Sequence, residues 1–277
     1  MFTVLTEKHL QLIRNLIKTI GNTPLVGIAA ELHELIERIR EDIPEKKRIS
    51  YGRYSITTKM GEVMYPLLTE KNVDVVAFSQ ELFGNPEHDE FVRSLAVQLL
   101  TIYGESGGKT QIVLSCVEKA AMDDNWIVRE CSAGYVRKLI KKYPDTMQTW
   151  YLKMVRSKNP LQRRFAGESL RPVADNGWFK KRPDYVFPVI RHLYEESDAY
   201  PRTSIGNSLS DWMRIDEDRT LEIVRKLVKS GNKDSFWIAY RACRNLVKKE
   251  PLLVMDMLGV DEYRYKDRKF KREQGTE

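Results

Sequence analysis

Apolar residues recur at spacings of three and four along nearly the whole chain. Leu10, Ile13, Leu16 and Ile17 show this spacing near the start, and residues 221–228 show it again. Such spacing places apolar side chains on one face of an α-helix, whereas the sustained alternation typical of a half-buried strand is absent. The pattern therefore predicts an all-α protein.

Turn-forming and helix-capping residues interrupt this pattern at regular intervals. The main breaks lie at residues 21–24, 84–86, 104–108, 157–160 and 230–232. They combine Gly, Pro, Ser and Asn, as helix ends require, and they leave helices of about 10 to 18 residues joined by short loops. Because no long linker is present, we predict one continuous array over residues 1–260 and a charged, frayed tail over residues 261–277.

Three segments repeat a common plan in which an Arg-rich helix carries small residues and an acid. The acids are Glu130, Glu168 and Asp211, at intervals of 38 and 43 residues. This period suits a two-helix HEAT or armadillo unit of roughly 40 to 47 residues. Stacked units form an α-α superhelix whose concave surface is lined by the same helix of each pair. We expect such a solenoid, with the three acids facing away from the core into one groove.

Basic charge is concentrated in the second half of the chain. The chain has a net charge of +7, yet residues 135–182 hold 13 Lys and Arg against three acids, a local balance of +10. Four of the five tryptophans also lie in the second half, and the fifth, Trp126, lies shortly before it. Basic charge interleaved with aromatic residues is typical of nucleic-acid binding, so we expect the groove to be basic. A solvated helix face and tryptophans in the core explain either feature alone.

Other classes of site find little support. Cys116, Cys131 and Cys243 lie far apart without a Cys-x-x-Cys pair, and the histidines are scattered, so we expect no metal, no cofactor and no disulfide framework. The first residues include Glu7 and Lys8 and lack the apolar stretch of a secretory signal. No run reaches the roughly 18 apolar residues of a membrane span. We therefore expect a soluble cytoplasmic protein that acts as a monomer without membrane contact.

Specific motifs lie between the Arg-Glu helix at Trp126 and about Gly259. Residues 163–172 read Arg-Arg-Phe-Ala-Gly-Glu-Ser-Leu-Arg-Pro and are followed by Trp178. Residues 204–211 read Ser-Ile-Gly-Asn-Ser-Leu-Ser-Asp, and residues 240–249 read Tyr-Arg-Ala-Cys-Arg-Asn-Leu-Val-Lys-Lys. In this order, the blocks resemble the AlkC/AlkD family of DNA alkylation repair glycosylases, on its AlkC side.

The resemblance implies cleavage of the N-glycosidic bond of cationic alkylated purines, such as 3-methyladenine or 7-methylguanine, in duplex DNA without deep base flipping. A cationic purine leaves without a general acid, whereas the sugar becomes oxocarbenium-like and needs a carboxylate and a positioned water. The catalytic residues implied are Glu168 and Asp211, together with Glu130, and Trp178 and Trp126 would contact the lesion and its sugar. The phosphate contacts expected are Arg137, Arg164, Arg171, Lys180, Lys181, Arg182, Arg202 and Arg244.

Two alternatives stay open. Gly167 and Ser169 stand where the family usually has Ser and Gly around Glu168, so the chain would also fit a HEAT-repeat protein that binds DNA structures or lesions without catalysis. In that case Glu130 and Glu168 would only pair with arginines one turn away. A protein–protein scaffold is the second alternative, but it predicts neither the basic segment nor acids at matched positions.

Overall fold

The computed structural model describes residues 2–173 and 177–272. Contacts group the chain into two compact units, Met1–Tyr143 and Pro144–Glu277. Both units are built from α-helices joined by short connections, which confirms the predicted all-α class. The single array over residues 1–260 stays a prediction.

The first unit consists of helical hairpins. Its helices are α1 (Glu7–Thr19), α2 (Leu25–Asp42), α3 (Glu45–Arg48), α4 (Arg53–Glu70), α5 (Val75–Gly84), α6 (Glu90–Glu105), α7 (Thr110–Ala120) and α8 (Trp126–Lys142). Alternate helices stack on one another, because α4 packs on α6 and α6 packs on α8. The helices α5 and α7 pack against α6 from their own hairpins. This stacking of equivalent helices is what a helical repeat requires.

The second unit continues the same plan and ends in a β-hairpin. Its elements are α9 (Pro144–Val155), α10 (Pro160–Ser169), α11 (Gly177–Lys180), α12 (Pro183–Ile190), α13 (Ala199–Trp212), α14 (Glu217–Lys229), α15 (Lys233–Ala242), α16 (Pro251–Leu258), β1 (Glu262–Tyr265) and β2 (Arg268–Lys271). The stacked series here is α10, α13 and α15, each packed on the next.

Side-chain caps explain where several stacked helices begin. Asp89, Asn125, Asn159 and Asn232 precede α6, α8, α10 and α15, and each accepts a hydrogen bond from a backbone N–H of the first turn. Short polar side chains satisfy N–H groups that have no partner inside the helix. The breaks in the apolar pattern at residues 84–86, 157–160 and 230–232 accordingly separate successive helices.

An arginine stands four residues after the cap at each of four stacked helices. These arginines are Arg93, Arg129, Arg163 and Arg202. Arg93 Nη1 donates to Asp123 at 2.5 Å, and Arg163 Nε donates to Glu196 at 2.6 Å. Each of these acids lies just before the next stacked helix. Arg93 and Arg163 therefore join one repeat to the next, whereas Arg129 donates to the backbone carbonyls of Asp123 and Asp124, just before its own helix.

The C-terminal segment corrects the prediction of a frayed tail. Residues 262–271 form an antiparallel hairpin, and residues 273–277 lie outside the described residues. Tyr263 is fully buried, its ring stacks on that of Tyr240 with centroids 4.1 Å apart, and its hydroxyl donates to the Tyr240 carbonyl at 2.7 Å. Burial of this aromatic side chain offsets the entropy of ordering the strands. Strands of four residues are too short to show a sustained alternation.

Substituting Tyr263→Ala tests how the hairpin is held. Loss of the buried ring should lower the free energy of unfolding by about 3–5 kcal/mol and expose the hairpin to trypsin. The matched control is Tyr265→Ala, because Tyr265 is only partly buried and its loss should cost about 1 kcal/mol or less. Trypsin cleavage of the wild-type hairpin as fast as that of Tyr263→Ala would contradict the anchoring role.

Candidate active site

Glu168 and Asp211 come together where α10 packs on α13. Glu168 lies in the last turn of α10 and Asp211 in the last turn of α13. Both residues are buried, with exposed fractions of 5% and 4%. The expectation that these acids face away from the core is therefore wrong for both. Burial is tolerated because arginines neutralise both carboxylates.

A single guanidinium group bridges the two acids. Arg171 Nε and Nη2 donate to Asp211 Oδ2 at 2.9 and 2.7 Å, and Arg171 Nη1 donates to Glu168 Oε1. Burial by itself would lower the pKa of Arg171, but the charges of Glu168 and Asp211 outweigh it and raise that pKa. The sequence predicts a phosphate contact for Arg171, whereas the structure shows this side chain holding two carboxylates. Its planar fork of donors suits this role, which a lysine would not fill.

Two further arginines reach the same acids. Arg164 Nη2 lies 3.7 Å from Glu168 Oε2, and its guanidinium lies 4.8 Å from the ring centroid of Tyr200. Arg164 is itself buried, so the structure does not present it to a phosphate as expected. Arg214 Nη2 donates to Asp211 Oδ1 at 2.8 Å, and the Arg214 side chain is 64% exposed. The pairing of Glu168 with neighbouring arginines, weighed as an alternative, is thus present.

A second polar network joins α13 to the end of α15. Arg241 Nε donates to Asn207 Oδ1 at 2.8 Å, and Arg244 Nε donates to Ser210 Oγ at 3.2 Å. Arg244 also donates to Asn207. A Cβ atom at Gly206 would come within 3.0 Å of three Arg241 side-chain atoms, so this glycine permits the close packing of α13 and α15.

Of these two arginines, Arg244 is among the residues predicted from the sequence and Arg241 is not. The available signal was their spacing of three residues, which places two side chains on one helix face.

Arg202 has a partner that the sequence analysis did not foresee. It forms an ion pair with Asp234, and its guanidinium lies 4.8 Å from the ring centroid of Trp237. The structure therefore uses Arg202 to connect α13 with α15, instead of leaving it open to phosphate as predicted.

The predicted basic cluster beside Trp178 is accessible to solvent. Lys180, Lys181 and Arg182 are all exposed, and the Arg182 guanidinium lies 4.5 Å from the Trp178 ring centroid. The Trp178 ring is half-buried, with its edge-to-face partner Tyr185 at a centroid distance of 5.0 Å. The contacts of the three basic residues with phosphate, and of Trp178 with the lesion, stay predictions.

The remaining predicted residues belong to α8 of the first unit. Trp126 begins this helix and is 62% exposed. Glu130 and Arg137 follow on the same helix and are half-buried. Their joining with Glu168 and Asp211 in one site stays a prediction.

The stacked helical hairpins place the chain among helical-repeat proteins of the HEAT-like class. Residues 56–249 match the family model described as DNA alkylation repair enzyme. This match spans most of the chain, which therefore belongs to the DNA alkylation repair enzyme family, as the motif blocks indicated.

In the part of the chain that the structure describes, no helix is both long and apolar enough to span a membrane.

Two solved structures share the fold. AlkD2 from Streptococcus mutans is 20% identical, with a TM-score of 0.55 over 76% of this chain and 97% of that chain. The Pseudomonas fluorescens alkylpurine DNA glycosylase AlkC, bound to DNA containing an abasic site analog, is 16% identical, with a TM-score of 0.52 over 93% of this chain and 67% of that chain. At these identities the likeness shows the fold alone. Comparison with curated proteins gave no match.

Substituting Arg171→Met tests the bridge. We expect the free energy of unfolding to fall by about 3–5 kcal/mol, because two buried carboxylates lose their shared cation. Urea unfolding at neutral pH measures this loss. The triple variant Arg171→Met, Glu168→Gln, Asp211→Asn should recover more than half of it, since no ionised acid of the bridge remains. A loss below about 1 kcal/mol in the single variant would show that the bridge is dispensable.

Proposed function

We propose that this protein is a DNA glycosylase that hydrolyses the N-glycosidic bond of cationic alkylated purines, of the 3-methyladenine or 7-methylguanine type, in duplex DNA without deep base flipping. The observation that carries the proposal is the convergence of Glu168 and Asp211, from successive stacked helices, on Arg171. Membership of the DNA alkylation repair enzyme family supports it, as does the likeness to a structure described as an alkylpurine DNA glycosylase bound to DNA.

The reaction requires little from a general acid. The bond between C1′ and the purine nitrogen breaks, and its electron pair goes to the base, whose positive charge is thereby neutralised. The sugar develops positive charge, which a preorganised carboxylate stabilises. Water then attacks C1′ and gives up a proton, leaving an abasic site and a free methylated base. Glu168 and Asp211 are the acids we assign to stabilising the sugar cation and orienting this water.

The arginines around Glu168 and Asp211 position the two carboxylates. Arg171 holds both carboxylates in place, so little rearrangement is needed when the sugar becomes positive. The second oxygen of Asp211, Oδ1, accepts a hydrogen bond from Arg214, whose side chain is largely exposed. We propose that Arg214 turns to a DNA phosphate on binding and thereby releases Oδ1 toward the sugar. Exposed Lys180, Lys181 and Arg182 supply further phosphate contacts.

The variants Glu168→Gln and Asp211→Asn test the chemistry. Single-turnover release of methylated bases from alkylated duplex DNA should fall by on the order of a hundredfold or more in each, because the charge that stabilises the sugar cation is lost. Circular dichroism and DNA binding must show that each variant is folded. The matched control is Glu196→Gln, which removes another buried acid paired with an arginine and should retain the wild-type rate. Equal loss in all three variants would attribute the effect to stability instead.

The variant Arg214→Gln tests whether Arg214 leaves Asp211 for a DNA phosphate when DNA binds. Affinity for duplex DNA should fall, and the slope of log K against log salt should decrease in magnitude by about 0.9, because one phosphate contact is lost. The rate of base release at saturating DNA should stay at the wild-type value or rise, since Asp211 Oδ1 is already released. Arg225→Gln, at an exposed position on α14, is the control. An unchanged salt slope would reject a phosphate contact by Arg214.

A second candidate is a protein that binds DNA lesions without catalysis. The observation in its favour is that Glu168 and Asp211 are buried and paired with arginines, which reduces the negative charge available to a sugar cation. Absence of base release together with intact, salt-sensitive DNA binding would select this candidate. Absence of DNA binding would favour the protein–protein scaffold.

A further inference from the structure

A pocket with a volume of about 340 Å³ lies between α15 and the β-hairpin. Its lining residues are Trp237, Tyr240, Arg241, Arg264, Tyr265 and Lys266. These described lining residues are all aromatic or basic. Tyr240 fixes the hairpin against the helix, because its hydroxyl accepts from the Arg264 backbone N–H at 2.6 Å. The pocket therefore exists only because the β-hairpin, which was not predicted from the sequence, packs against α15.

The arginines beside this pocket differ from the other partly buried arginines of the second unit. Arg163, Arg171 and Arg202 are paired with carboxylates. Within the described residues, Arg241 and Arg244 have only neutral hydrogen-bond partners, on the side chains of α13. Burial and the nearby charge of Arg244 lower the pKa of Arg241. Arg264, which also lines the pocket, is paired with Glu262, whereas Arg241 and Arg244 keep positive charge that no acid of the described residues neutralises, and such charge favours an anionic ligand.

Lys266 adds a further cation in an unusual backbone conformation. Its φ is 53°, in the left-handed region, which costs an ordinary L-residue roughly 1–2 kcal/mol. Gly or Asn would be more stable at such a position in a hairpin turn. The ammonium group lies 5.9 Å from the Tyr265 ring centroid, and within the described residues it has no carboxylate partner. A charged residue that occupies a strained position points to a function for its charge.

We propose that this pocket binds a phosphate group of a DNA strand, with Arg241 and Lys266 as donors and the Trp237 and Tyr265 rings beside the sugar. The proposal rests on the proposed function, in that DNA is the partner. Phosphates receive most of the hydrogen bonds in protein–DNA complexes, and cationic donors are their usual partners.

The pocket adjoins the helix that carries the candidate carboxylates. Arg241 is bonded to Asn207, and Asn207 lies four residues before Asp211 on α13. Residues four apart on a helix are neighbours on one face. A strand positioned by the pocket therefore passes beside the face of α13 on which Asp211 lies.

The variant Lys266→Asn separates binding from stability. Asn tolerates the left-handed conformation, so the melting temperature should stay the same or rise. Affinity for an undamaged duplex, measured by fluorescence anisotropy, should fall several-fold at low salt, and the slope of log K against log salt should decrease in magnitude by about 0.9. Arg241→Gln should reduce the slope likewise, and Lys266→Arg should retain the wild-type slope.

Lys271→Gln is the matched control, because it removes one exposed charge from the same hairpin outside the pocket. An equal effect of Lys271→Gln would overturn the pocket, since only the overall charge would matter. A lowered melting temperature of Lys266→Asn with an unchanged salt slope would overturn it too. Saturable binding of inorganic phosphate that is lost in Lys266→Asn, with an unchanged DNA slope, would overturn the assignment to a DNA strand.

The two proposals fail in different ways. Lack of base release with a salt slope that depends on Lys266 would reject the glycosylase and support the pocket. Base release with a slope that is unchanged in Lys266→Asn would reject the pocket alone. A wild-type protein that does not bind duplex DNA would overturn both.

Discussion

The bridge from Arg171 to Glu168 and Asp211 is the interaction on which the candidate site depends. Two carboxylates buried between packed helices would each cost several kcal/mol of desolvation without a cation. Arg171 supplies that cation to both and remains charged, because the acids raise its pKa despite burial. It also fixes the last turn of α10 against the last turn of α13. Packing, charge and the position of the acids therefore depend on one side chain.

Arginines elsewhere in the stacked helices divide by the partners they have. Arg93, Arg163 and Arg202 join successive repeats through acids that lie at the start of the next stacked helix. Arg241 lies at the end of α15 and Arg244 just after it, and their partners among the described residues are an amide and a hydroxyl. The first group stabilises the array, whereas the second leaves positive charge available to an external anion. The presence or absence of an acidic partner therefore distinguishes structural arginines from candidate ligand-binding arginines.

For a member of the DNA alkylation repair enzyme family, this distribution of charge is consistent with a polyanionic partner. In the second unit, the exposed cations at Lys180, Lys181 and Arg182 and the hairpin pocket lie outside the buried arginine–carboxylate network. The exposed Arg214 lies at the edge of that network, bonded to Asp211. Phosphate contacts position a duplex without reading its bases. Under the proposed function, selection of a lesion rests on its chemistry, because a base that already carries positive charge leaves easily and the protein has only to stabilise the sugar.

The sequence by itself determined the all-α class, the repeated Arg-rich helices and the family, and it predicted a shared site for Glu168 and Asp211. These features depend on local periodicity, capping residues and short motifs, which contacts between neighbours along the chain dictate. Only the tertiary structure decided that the acids are buried and that Arg171 and Arg202 pair with acids instead of standing open to phosphate. Asp211 and Asp234 lie 40 and 32 residues from Arg171 and Arg202, so no local pattern encodes these two pairs. The pairing of Arg171 with Glu168, three residues away, is the local part of the bridge. The C-terminal hairpin also needed the tertiary structure, because its four-residue strands are held by the contact of Tyr263 with a distant helix.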